Sequence, residues 1–138
     1  METSTPNLGL PYMAYNVGEF EEIDRVLDII DGLFGEEAIP YSAEMTAFLT
    51  ATTADVTLGG GNGSITFTSK PVPGLAYKLW VIQPAAGGPF TVTWGSPITW
   101  AGGAAPVLST VAGKKNLIRC QYINSTLGWH CEMDSNVF

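Results

Sequence analysis

The spacing of apolar residues changes period once along this chain. Between Val17 and Phe34, the residues Phe20, Ile23, Leu27, Ile30 and Phe34 step by three, four, three and four. That spacing places them on one face of an α-helix and matches the a/d seam of a coiled coil. Asn16 stands where an N-cap is needed, Glu19, Glu21 and Glu22 lie where the helix dipole favours acids, and Gly35 marks the stop. The same spacing also fits an amphipathic helix packed on its own β domain, and both readings stand. About two heptads are too short to hold copies together unaided, so a trimer seam here needs a second contact elsewhere.

From Thr52 onward the period is two. Val56 and Leu58, then Ile65 and Phe67, alternate with polar residues on either side of GGGNG at 59–63, which predicts a hairpin. Residues 75–83 put Leu75, Tyr77, Leu79, Val81 and Gln83 on one face and Ala76, Lys78, Trp80 and Ile82 on the other. With both faces partly apolar, this strand is expected to be central. Phe90, Val92 and Trp94, the run Ile98 to Trp100, the run Leu117 to Ile123, and Trp129, Cys131 and Met133 complete seven or eight short strands. The expected fold is mainly β, an antiparallel β-sandwich. A four-residue loop from Asn124 to Leu127 sets Ile123 opposite Gly128 and Cys120 opposite Cys131, with both cysteines toward the core. A disulfide is conceivable there, but two buried thiols are the preferred reading for a chain whose start carries no export pattern.

Ahead of the helix, residues 1–16 read as an extended arm with Leu8, Leu10, Tyr12, Met13 and Tyr15 placed to lie against a partner. After it, residues 35–50 read as a linker, broken at Pro40, that passes into a strand. The division is residues 1–44 for arm, helix and linker, and 45–138 for the β domain.

Charge sharpens this division. Ten of the thirteen acids lie in residues 1–44 with Arg25 as the one base, whereas Lys70, Lys78, Lys114, Lys115 and Arg119 all lie beyond. No basic face for nucleic acid is evident. Charged residues are only 14% of the chain, a thin coat that suits a surface covered by neighbours. No run approaches the roughly 18 apolar residues of a membrane helix, and METSTPN has neither the basic cap nor the apolar run of a secretory signal. Membrane insertion is not expected, and assembly in a cytoplasm is.

Candidate chemistry is sparse. His130 is the single histidine, and Cys131 points to the opposite face, so the pair cannot work as base and nucleophile or share a metal. GGGNG lacks the Lys-Ser/Thr ending of a phosphate loop and reads as a turn. Asn124-Ser125-Thr126 fits an N-glycosylation acceptor, but turn chemistry accounts for it. No catalytic residue, metal site or cofactor is expected. Trp80 and Trp100 are the aromatics to watch as ligand platforms or interface anchors, against the ordinary alternative of core packing.

The stretch VTWGSPITWAGGAAPVLSTVAGKKNLIRCQYI (residues 92–123) and GWHCEM (residues 128–133) resembles a recurrent β-domain of tailed-bacteriophage fibre and tail proteins. The order carries the resemblance: Trp94, Pro97, Trp100, Gly102-Gly103, Pro106, Gly113, a strand, then Gly128-Trp129. GLAYKLWVIQ at 74–83 looks like the preceding strand, and residues 11–34 look more loosely like short attachment segments of phage appendages. The resemblance implies a jelly-roll-like sandwich, a homotrimer, and a place on the virion after assembly in the host cytoplasm. The expected role is a structural short fibre, spike or fibre-adaptor subunit, anchored to capsid or tail and baseplate proteins by its N-terminal segment. A host-attachment module that binds surface glycan and a capsid decoration protein are the alternatives.

Overall fold

The structure, a computed structural model, describes residues 4–5, 10–11, 23–27, 30, 35–95 and 97–138. Contacts divide the chain into two compact units, Met1–Asp31 and Gly32–Phe138. In the first, β1 (Ser4–Thr5) pairs antiparallel with β2 (Leu10–Pro11), and residues 23–27 and 30 are helical. The helix expected from the three-four spacing is therefore present at Ile23, Leu27 and Ile30. Phe20 and Phe34 of the same seam, and Leu8, Tyr12, Met13 and Tyr15 of the arm, lie outside the described residues.

The second unit is built from two mixed and parallel sheets. One has the order β3 (Glu36–Ala38), β5 (Thr53–Thr57), β7 (Ala76–Ile82), β10 (Lys115–Tyr122), β11 (Trp129–Met133), β9 (Ile98–Trp100). The other has the order β4 (Glu44–Ala47), β6 (Gly63–Phe67), β8 (Val92–Trp94). The segment read as a linker thus contributes β3, beside β5.

From β3 to β8, consecutive strands alternate between the sheets, and neighbours within each sheet run parallel. The chain winds around its own core, laying a strand in one layer and then in the other. Only β7, β10 and β11 keep the antiparallel pairing expected for this unit, and β9 then joins β11 in parallel. The expectation of antiparallel pairing throughout is corrected accordingly. So is the hairpin at 52–68: β5 and β6 lie in different sheets, and GGGNG is the arc between them. Alternation shows which side chains face the core. It carries no information on whether the next strand folds back beside its predecessor or crosses to the opposite layer.

The arc is held by Tyr41. Its hydroxyl donates to the Asn62 carbonyl at 3.1 Å, and its ring lies over Gly60, where a Cβ would come within 2.7 Å of a ring carbon. At the preceding corner, between β4 and β5, Phe48 adopts a φ of 65°, a conformation costly for a bulky residue. Its ring is buried in return.

Leu58, Ile65, Leu79 and Ile118 are fully enclosed between the sheets. Burying each such side chain contributes roughly 1.5–3 kcal/mol. Trp129 is the hub of the aromatic part of the core, with ring centroids 4.9 Å from Phe67, 5.0 Å from Tyr77, 5.5 Å from Tyr122 and 5.9 Å from Phe48. Two buried amides tie long loops to this core. Gln83 holds Phe90, and the Asn116 Oδ1 accepts from the Ser109 amide at 2.8 Å.

Candidate functional site: a polar groove on the outer face

Strand alternation decides what the six-stranded sheet shows to solvent. Tyr77, Leu79, Ile118, Cys120, Trp129 and Cys131 point inward, so Ala76, Arg119, Gln121, His130 and Glu132 point outward. The register sets Arg119 beside Lys78 and Glu132, Gln121 beside His130, and His130 beside Thr99. Of these, Thr99, Arg119, Gln121, His130 and Glu132 line an open groove of about 450 Å³. Ala76, Trp100 and Ala101 also contribute to its lining.

One end of the same face is covered by the chain's own C-terminus. Phe138 and Lys115 exchange backbone hydrogen bonds at 3.0 and 2.8 Å, and the Phe138 ring meets Trp80 edge-on at 5.3 Å. Just before this tail, Asp134 pairs with Arg119 at 2.8 Å. The Asn136 amide, donating at 2.9 Å, and then the Arg119 guanidinium hold the Asp134 carboxyl below the usual carboxylate range.

Guanidinium, carboxylate, amide, imidazole and hydroxyl groups thus share one solvent-facing surface, supplying donors and acceptors side by side. Such a surface can hydrogen-bond a polar ligand. His130 and Cys131 face opposite sides of β11, as the alternation required, with His130 exposed and Cys131 in the core. Among the described residues, no group of three or more His, Cys, Asp or Glu side chains could hold a metal ion, and no helix is long and apolar enough to cross a membrane.

Of the aromatics singled out from the sequence, Trp100 contributes to the groove lining and Trp80 does not. Trp80 is half-buried under Phe138, and Trp100 is half-buried with its ring 5.1 Å from Trp94, on the inner side of β9. Neither stands as a free platform. In GGGNG, the Gly63 amide donates to the Thr91 carbonyl at 3.1 Å and the Asn62 Oδ1 accepts from the Thr91 amide at 2.9 Å, which makes it a structural arc. The groove residues Arg119, Gln121 and Glu132 were not singled out. Their outward alternation with buried neighbours was readable; the parallel β9–β11 pairing that brings Thr99 beside His130 was not.

These features define the chain as a mainly β protein with mixed sheets and, among the described residues, one short helix. No family model matches it, and neither curated proteins nor solved structures yield a match.

Proposed function

We propose that this chain is a non-enzymatic structural subunit that self-associates as a homotrimer in a virion appendage, as a short fibre, spike or fibre adaptor. The observation that carries the proposal is the apolar row on the helix: Ile23, Leu27 and Ile30 are 46%, 52% and 44% exposed. Leaving these aliphatic side chains in water, with Val26 beside the row also exposed, forfeits hydrophobic free energy that a second copy would recover. A seam with three-four spacing buries those same residues when helices of identical chains associate. The resemblance of residues 92–133 to phage fibre domains supplies the setting. In this reading the two-layer β unit is a sandwich-type body, and the N-terminal segment is the anchor on capsid, tail or baseplate proteins. Assembly takes place in the host cytoplasm.

Light scattering on the full-length chain tests the assembly. The expected result is a trimeric mass for the native chain and a monomeric mass for Leu27→Asp combined with Ile30→Asp. A stable native monomer would overturn the proposal. Immunogold labelling of intact virions then separates tail from head, the head being the site required by the capsid-decoration alternative.

A second reading, a carbohydrate-binding module, is favoured by the groove, whose mixed donors and acceptors can hydrogen-bond a hydroxyl-rich ligand. A glycan array compared between the native chain and Gln121→Ala checks it; signal lost in the variant supports the reading, and no signal from either rejects it.

A further inference from the structure

Cys120 and Cys131 face each other across β10 and β11, both buried, both free. Backbone hydrogen bonds show which kind of antiparallel pair they occupy. The Cys131 carbonyl accepts from Ala101 at 2.9 Å, so the backbone of Cys131 is turned toward β9. The Tyr122 carbonyl accepts from Gly74 at 3.0 Å, so Tyr122, and by alternation Cys120, turns toward β7. The two cysteines are therefore a non-hydrogen-bonded pair. Directly opposed residues at such positions have Cα atoms about 4.5 Å apart, closer than hydrogen-bonded pairs and within the span a disulfide can bridge.

We propose that Cys120 and Cys131 are a redox-switchable pair that closes into an intramolecular disulfide and locks β11 onto β10. With glutathione disulfide as oxidant, the thiolate of one cysteine attacks a glutathione sulfur. The glutathione S–S bond breaks, one glutathione leaves, and a mixed disulfide forms. The second cysteine then displaces the remaining glutathione as the Sγ–Sγ bond forms. Two electrons and two protons pass from the cysteines to two molecules of glutathione.

Burial, followed by the hydrogen bond with Cys131, pushes the Cys120 thiol up, so the closed hairpin holds little thiolate. Reaction accordingly follows opening of β11, whose outer neighbour β9 has only three residues. The lock bears on both features of this half of the sheet, because β11 carries the aromatic hub Trp129 and the groove residues His130 and Glu132.

The test exposes the full-length chain to glutathione disulfide in sub-denaturing urea, then alkylates it for intact-mass measurement and non-reducing electrophoresis. The expected result is loss of both alkylatable thiols with no glutathione retained, a monomeric band under denaturing conditions, and an upward shift of the urea midpoint that dithiothreitol reverses. Cys120→Ala and Cys131→Ala should each retain one glutathione and show no upward shift. Three outcomes overturn the proposal: a native chain that keeps glutathione, a disulfide-linked ladder, or two thiols still alkylatable after refolding from urea in the oxidant.

Discussion

Gln83 grips the backbone of Phe90 with both ends of its amide: Nε2 donates to the Phe90 carbonyl at 2.7 Å and Oε1 accepts from the Phe90 amide at 3.0 Å. The side chain thereby takes the place of a strand residue and fixes the loop that carries the chain from β7 to β8. Gln83 is 3% exposed, so water cannot readily replace it. Replacing it with Leu leaves both Phe90 groups without their partner and should cost about 2 kcal/mol, read as a lower urea midpoint at unchanged slope.

Trp129 offers a sharper test of the core. Four other rings close on it, so truncation opens a cavity that no single neighbour can fill. Trp129→Ala should lose about 3–5 kcal/mol and Trp129→Phe distinctly less, with near-ultraviolet circular dichroism reporting the loosened ring packing.

The arc at Gly60 predicts a coupling. A methyl group there would collide with the Tyr41 ring, so Gly60→Ala should destabilise the chain by about 1–3 kcal/mol. In a Tyr41→Ala background the obstacle is gone and the same substitution should cost less. A double-mutant cycle by urea unfolding measures the difference, and equal costs in both backgrounds would refute the contact.

Asp134 gives a pH dependence with a definite sign. Its carboxyl is held below the ordinary value by the Asn136 amide and then by Arg119. A depressed folded-state value means that the native chain favours the ionised form. Its stabilisation is therefore fully present above the unfolded value of about 3.9, and is lost as the pH falls through the lower folded value. Native and Asp134→Asn chains should differ in unfolding midpoint at neutral pH and converge in strong acid.

The helix row makes a prediction about salt. If Ile23, Leu27 and Ile30 drive self-association by apolar burial, raising sodium sulfate should strengthen the trimer in sedimentation equilibrium, whereas an assembly held by exposed ion pairs would weaken.

Much of the β unit was legible in the residues. Leu79 and Val81 were readable as sharing one face because alternation is a local property of the pleat; that this face is the inner one came from the structure. Cys120 was readable as opposite Cys131 because a short loop fixes hairpin register by counting. The groove was only half legible: Arg119, Gln121, His130 and Glu132 are outward by the same alternation, yet their meeting with Thr99 and Ala76 depends on strands distant in sequence.

By itself the sequence determined the local quantities: a three-four helix row, which residues of each strand share a face, the final hairpin and the opposite facing of His130 and Cys131. Tertiary structure alone decided that β5 and β6 part into opposite layers, that β9 joins β11 in parallel, and that Phe138 covers Trp80. The reason is physical. A side chain's own neighbours set its facing, but the partner of a strand is chosen by the free energy of closing the whole core, to which residues far along the chain contribute equally.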